Sequence, residues 1–175
     1  MTPPNAVSLL RVLAVPGVMA LILYGDPWLA AALYVAAAAS DSLDGYLARS
    51  RNWVTVTGTF LDSLADKLLV TGAMFALVEI GSLSSWAAVA IVAREFAISG
   101  VRMVAAAHSD VISASSAGKI KAFSQNVMIV VLILVDDQPW VTGTAVAVAI
   151  VLSYWSLLGY VIAARRHFTA PAVSR

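Results

Sequence analysis

Cysteine is absent and charge is scarce. Only 12% of the 175 residues are Asp, Glu, Lys or Arg, and His occurs twice. Without cysteine there is no disulfide framework and no thiolate metal site, while the compartment stays open. With so little charge, a soluble domain of this size could not cover its surface. Eleven basic residues stand against ten acidic ones, so a net charge of +1 gives no bulk reason to expect a nucleic-acid partner. There is no soluble linker, low-complexity tract or internal repeat. What fills the chain is apolar: 61% of it is hydrophobic. The apolar runs are continuous and do not alternate, which predicts membrane helices rather than barrel strands.

At roughly 20 residues per span, the length accommodates about six spans with short loops. After a proline-bearing entry at residues 1–5, capped by Asn5 or Ser8, the first span is expected over Ala6–Tyr24. Pro16-Gly17 predicts a kink within it. Residues 1–32 also fit the outline of a signal peptide, but are read here as the entry and first span. Gly25-Asp26-Pro27 predicts a turn. The second span is expected over Trp28–Ala48, with residues 50–58 a polar connector, not helical throughout because Val54–Thr57 is β-branched. Further spans are expected over Thr59–Ile80, Ser84–Ala107, Lys119–Val135 and Trp140–Ala164. Turns are expected at Gly81-Ser82 and at Asp136 to Pro139, with a serine-rich loop over residues 108–118. The expected fold is therefore all-α and polytopic, a single domain over residues 1–175.

Loop charge orients such a chain. Arg11, Arg49, Arg51, Arg102, Lys119, Lys121, Arg165, Arg166 and Arg175 fall on one side. The opposite loops hold Asp26, Asp136 and Asp137 and no Lys or Arg. The positive-inside rule then places both termini in the cytoplasm. Trp28, Trp86 and Trp140 mark outer span ends, as an aromatic belt requires. Trp53 falls on the cytoplasmic side, and His108 and His167 read as interfacial.

Against this background four aspartates stand out. Asp41 and Asp44 are three residues apart, with Gly45 and Ala48 continuing their face. Gly58, Asp62 and Asp66 are spaced by four and form a second stripe. The two spans are sequential and expected to be antiparallel neighbours. Charge inside a span is costly and is by default a functional-site hypothesis. Four facing carboxylates cannot stay ionised in low dielectric without cations. Oxygen-only ligands, with no His or Cys nearby, point to a hard ion such as Mg²⁺ or Mn²⁺. Two such ions are typical where phosphate oxygens are clamped. Two blander readings stand beside this one. The acids could pair structurally with Lys67, Arg94 or Arg102, or they could mark the ion route of a cation-coupled transporter. The doubled spacing, with small residues on the same faces, favours metal and nucleotide.

The pattern Asp41-x-x-Asp44-Gly45-x-x-Ala48-Arg49, eight residues, Gly58-x-x-x-Asp62-x-x-x-Asp66 resembles the CDP-alcohol phosphatidyltransferase signature at every defined position. Pro4-Asn5-Ala-Val-Ser8-Leu-Leu-Arg11, Ala65-Asp66-Lys67, Arg94-Glu95-Phe96 through Gly100-Val-Arg102, Gly118-Lys119-Ile-Lys121 and Tyr154-Trp155-Ser156 resemble the bacterial phosphatidylglycerophosphate synthase branch of that family. Ser63 departs from it, since many members carry proline there.

This resemblance implies the CDP-alcohol phosphotransferase fold, and Asp41, Asp44, Asp62 and Asp66 as metal ligands. It also implies Asp66 as the general base. CDP would be held around Asp41, Asp44, Gly45, Ala48, Arg49, Gly58 and Asp62. The implied reaction moves the phosphatidyl group of CDP-diacylglycerol to glycerol 3-phosphate and releases CMP.

Arg94, Arg102, Lys119 and Lys121 are the candidates for the acceptor phosphate. The two lysines could equally serve topology and lipid headgroups. Arg94 and Glu95, adjacent in sequence, are expected to face apart on the helix and not to pair. Ser8 and Arg11 are expected to line the cavity, with capping and topology as alternatives. The role of Lys67 is open, and Gln125 and Asn126 could join helices. The motif serves the nucleotide half of the reaction, so cardiolipin synthesis or phosphatidylinositol phosphate synthesis remains an alternative. The family is commonly homodimeric, and Gly72 and Ala76 could allow close packing between copies.

Overall fold

The computed structural model describes residues 3–50, 56–107, 116–135 and 137–168, with side chains over 8–40, 61–100, 118–135 and 137–159. Six helices account for almost all of it: α1 (Pro3–Tyr24), α2 (Pro27–Ser50), α3 (Val56–Glu79), α4 (Ser85–Ala107), α5 (Ser116–Leu134) and α6 (Pro139–Phe168). No strand occurs among the described residues. Every expected span has its helix; five helices begin before the expected start, and α4 begins one residue after it, at Ser85. α3 begins at Val56, inside the segment read as connector, so β-branching at Val56 and Thr57 does not prevent the helix from starting there. α5 begins at Ser116, within the expected serine loop. The connector at 51–55, the loop at 108–115, Asp136 and the tail from 169 lie outside the described residues.

Local chemistry explains the ends. Asp26 Oδ1 accepts the Leu29 amide at 2.9 Å, capping α2, while Pro27 occupies the first helical position. Gly81 has φ 83°, in the left-handed region that side chains disfavour, and closes α3. The Leu77 carbonyl is then taken up by the Leu83 amide at 3.1 Å, and buried Leu83 anchors the turn. At the start of α6, the Gln138 carbonyl accepts the Val141 amide at 2.9 Å, with Pro139 first in the helix. α1 continues through Pro16.

α1 packs most extensively against α3 and then against α2, α5 lies against α6 and α2, and α4 lies against α6. α3 meets α5, α2 and α4 through thinner contacts. The sequence led us to expect α2 and α3 as close neighbours, but α1 takes the larger share of both. The core is Val18, Tyr34, Leu69, Met74, Leu77, Ile91, Met128, Ile129 and Leu132, with alanines filling the close crossings. Leu10, Leu13, Phe75, Phe96, Phe123, Val151 and Leu158 face outward. Large apolar side chains therefore cover much of the described exterior. Among the described residues, Pro139–Gly159 is long and apolar enough to cross a membrane, and Ser8–Tyr24 and Pro27–Ser40 are shorter apolar helices.

Gly72 and Ala76, read from the sequence as possible contacts between copies, are buried within the chain. A Cβ at Gly72 would lie 2.6 Å from Val15 Cγ1 and 3.4 Å from Met19 Sδ. The missing side chain is what lets α1 and α3 approach. Val15 is β-branched and cannot swing aside easily. Replacing Gly72 with Val should therefore destabilise the protein by about 1–3 kcal/mol through overpacking. Thermal unfolding in detergent checks this, and an unchanged midpoint would contradict the assigned packing.

Candidate active site

Among the described residues, two ionic clusters lie inside the bundle. The first centres on Arg11 of α1, whose side chain is fully buried. Its Nε donates to the Ala37 carbonyl at 3.1 Å and lies 3.4 Å from Ser40 Oγ. Nη2 donates to Ser40 Oγ at 3.2 Å, and Nη1 donates to Asp62 Oδ1 at 3.0 Å. One guanidinium thus joins α1, α2 and α3. Ser8 Oγ, one turn earlier, also reaches Asp62 Oδ1 at 3.5 Å. A planar fork with five donors suits this task, whereas a lysine ammonium would not span the same partners. Asp62 remains partly exposed, at 37% of its side chain, so its carboxylate is still accessible from outside.

The second cluster lies between α3, α4, α5 and α6. A small open recess is lined by Asp66, Lys67, Val70, Thr71, Met74, Glu95, Lys121 and Gln125. Asp66 is one helical turn beyond Asp62 on α3. Lys67 Nζ donates to Ser99 Oγ at 2.7 Å, and Ser99 Oγ donates to the Glu95 carbonyl at 2.9 Å. Lys121 forms an ion pair with Glu95 Oε1.

Arg94 sits behind this recess, 4% exposed, and is not among its lining residues. Its Nε donates to the Ser153 carbonyl at 2.9 Å and its Nη2 to Ser156 Oγ at 2.9 Å, both on α6. Its Nη1 donates to Glu95 Oε1 at 3.1 Å. The sequence reading that Arg94 and Glu95 would not pair is therefore corrected. Their Cα positions do diverge around the helix, but both side chains are long enough to curl toward the same polar spot. The apolar surroundings offer few competing partners.

The structure brings Ser8, Arg11 and Asp62 together at one cluster and Asp66, Glu95 and Lys121 at the other. Lys119 is exposed on α5. Asp41, Asp44, Gly45, Ala48 and Arg49 lie on α2, Gly58 on α3 and Arg102 on α4. The side chains of these seven residues lie outside the described ones. Gln125 and Asn126 do join helices: Gln125 Nε2 reaches Ser153 Oγ at 3.4 Å, and Tyr34 OH donates to Asn126 Oδ1 at 2.6 Å.

Ser40, Tyr34, Ser99, Ser153 and Glu95 were not singled out from the sequence for a role. A usable signal existed for Ser153 and Ser156, since two serines three apart in an apolar helix share a face. None existed for Ser40, which differs in no local way from other serines.

The donor chemistry fits a divalent cation. Asp62 and Asp66 offer oxygen only, from successive turns of one helix. One is partly exposed and the other lines an open recess. Among the residues with described side chains, no group of three such ligands occurs. The remaining two aspartates of the motif fall outside that set.

The profile of the CDP-alcohol phosphatidyltransferase family matches residues 1–155. The chain belongs to that family, whose members are generally dependent on divalent metal and associated with membranes. It is similar to proteins named CDP-diacylglycerol–glycerol-3-phosphate 3-phosphatidyltransferase. One, from Escherichia coli (strain K12), is 37% identical over 175 residues, covering 93% of this chain and 94% of the relative. Another, from Bacillus subtilis (strain 168), is 36% identical over 146 residues, covering 75% of this chain and 76% of the relative. A Mycobacterium tuberculosis protein (strain ATCC 25618 / H37Rv), named a probable phosphatidylglycerophosphate synthase, is 35% identical over 170 residues. That match covers 93% of this chain and 81% of the relative.

Arg11 is the joint on which the first cluster depends. Replacing it with Met should lower stability by about 1–3 kcal/mol, since Ala37 O and Ser40 lose charged donors inside the bundle. Arg11→Lys should recover only part of that loss. Detergent-phase melting curves of the two variants check this, and full recovery by Lys would contradict the three-helix role of the guanidinium.

Proposed function

We propose that this chain transfers the phosphatidyl group of CDP-diacylglycerol to sn-glycerol 3-phosphate, giving phosphatidylglycerol phosphate and CMP. The observation that carries the reading is the recess. It places a family-motif carboxylate, Asp66, beside two ammonium groups, Lys67 and Lys121, at one opening between helices. A hydroxyl that must lose a proton and a phosphate that must be held are both features of glycerol 3-phosphate. Family membership and the names of the relatives support the same reaction.

The donor half belongs to the aspartate motif. Asp41, Asp44, Asp62 and Asp66 are proposed to hold Mg²⁺ or Mn²⁺, two ions in all, with CDP lying along Asp41, Asp44, Gly45, Ala48, Arg49, Gly58 and Asp62. When bound, the cation supplies charge neutralisation at the diphosphate. Arg11 keeps Asp62 oriented from the α1 side, and Gly45 and Ala48 leave room for the nucleotide at α2.

In the acceptor half, Asp66 takes the proton from the attacking hydroxyl. Its carboxylate lines the recess in which the acceptor would sit. The hydroxyl oxygen forms a bond to the phosphorus that carries diacylglycerol, and the bond from that phosphorus to CMP breaks. Positioning and charge stabilisation carry most of such a step. Lys121 is proposed to bind the acceptor phosphate with Lys119 and Arg102, and Arg94 adds positive charge from behind.

The setting is a bilayer. Six spans, both termini in the cytoplasm and a site open to that side follow from the loop charges. The outward-facing Phe75, Phe96, Phe123 and Leu158 support a lipid-facing exterior. Exposed Trp28, Trp86 and Trp140 suit the opposite interface. The chain is proposed to act as a single domain over residues 1–175, assembled as a homodimer.

Purified protein in detergent with Mg²⁺ and CDP-diacylglycerol should release CMP when glycerol 3-phosphate is added. It should not do so with phosphatidylglycerol or inositol phosphate. Asp66→Asn should lower kcat by about 100- to 10,000-fold, the usual range for loss of a general base. Full activity in that variant would remove Asp66 from the base role, and CMP release with inositol phosphate alone would overturn the acceptor.

A further inference from the structure

Glu95 is the acid for which the proposed reaction has no use. It lines the recess that holds Asp66 and Lys121. Its Oε1 accepts from Arg94 Nη1 at 3.1 Å, and the same oxygen pairs with Lys121 Nζ. Arg94 in turn is fixed to α6 through the Ser153 carbonyl and Ser156 Oγ. The Ser99 hydroxyl, held by the Glu95 carbonyl, receives Lys67. The Glu95 carboxylate therefore ties one cation of the recess, Lys121, to α4 and, through Arg94, to α6.

Lys121 itself is a point charge on a flexible four-carbon stem. It is 7% exposed, too buried to be stable as an unpaired cation. If Glu95 did not hold it, the other carboxylate lining the same recess is Asp66. An ion pair between those two would remove a phosphate ligand and the proton acceptor together. We propose that Glu95 is a positioning residue for the acceptor half-reaction: by pairing with Lys121 it holds that ammonium toward the acceptor phosphate and keeps it from closing into a direct ion pair with Asp66. The assignment rests on the glycerol 3-phosphate reading above. It also accounts for an acid standing where a phosphate anion must bind. An anion there weakens the phosphate site slightly, but without it the binding cation would neutralise the base.

The test is a steady-state comparison of wild type, Glu95→Gln, Glu95→Ala, Lys121→Met and the Glu95→Ala/Lys121→Met double variant, with each substrate varied in turn. Glu95→Ala should raise KM for glycerol 3-phosphate about 10- to 100-fold, the loss expected for a misplaced charged hydrogen bond, and should also lower kcat, because Lys121 then pairs with the base. KM for CDP-diacylglycerol should stay within about twofold, because the donor is held by other residues. Glu95→Gln keeps an oxygen that both cations can use, so it should recover much of the acceptor KM. Added to Lys121→Met, the Ala substitution should cost little more, since both act through one side chain.

A general structural role for Glu95 would raise both KM values together and give additive losses, and either result overturns the proposal. If the Ala variant does not fold, Glu95→Gln carries the test: it should show a smaller rise in the acceptor KM with the KM for CDP-diacylglycerol within about twofold, and equal rises in both would overturn the proposal. Failure of wild type to turn over glycerol 3-phosphate would remove the acceptor reading and this assignment with it. Turnover with an unaltered acceptor KM in Glu95→Ala would overturn the assignment alone.

Discussion

A charge inside an apolar bundle needs a partner, and among the described residues the buried cations meet that requirement across helices. Removing one member of a buried pair is costly because the other is left without water or counter-charge. Arg11 answers Asp62 and two groups of α2. Arg94 answers Glu95 and two groups of α6. Each arginine sits on one helix and binds across to at least one other, so these two side chains neutralise acids and also fix the positions of helices. Where large apolar side chains also cover the outside, hydrophobic contrast between inside and outside does less to orient the helices. Close packing and polar joints carry more of that task.

The two joints divide the proposed chemistry. The Arg11 cluster borders the half of the motif assigned to metal and CDP, through Asp62. The Glu95 cluster borders the acceptor, through Lys121 and the recess. Asp66 lies on α3 one turn from Asp62 and lines the recess beside Glu95, so it belongs to both. That location suits a group that must act where donor and acceptor meet. α3 is the shared element, and the bare surface of Gly72 allows α1 to seat against it closely enough for Arg11 to reach across.

How much of this was readable beforehand depends on the range of the interaction. Helix number and order followed from continuous apolar runs and punctuation such as Asp26-Pro27 and Gly81, which act within a few residues. Boundaries slipped where β-branched Val56 and Thr57 were taken to argue against helix, a weak propensity that tertiary packing overrides. The aspartate stripe was legible because its members lie on two adjoining segments with fixed spacing. The Arg94–Glu95 pair was misjudged because helical geometry describes Cβ directions, whereas two long side chains with polar ends can converge beyond them. Ser40, Ser153 and Ser156 gained their roles only from what faces them across the bundle. The intrachain use of Gly72 required knowing that α1, and not a second copy, lies against it.

The central claim is that the acceptor hydroxyl attacks the phosphorus bearing diacylglycerol, with CMP leaving. Glycerol 3-phosphate carrying ¹⁸O in its attacking primary hydroxyl tests this directly. After one turnover, mass spectrometry of both products should find the label in the lipid product, bridging glycerol and phosphorus, and none in CMP. Label recovered in CMP, or in neither product of a CMP-releasing reaction, would contradict the account.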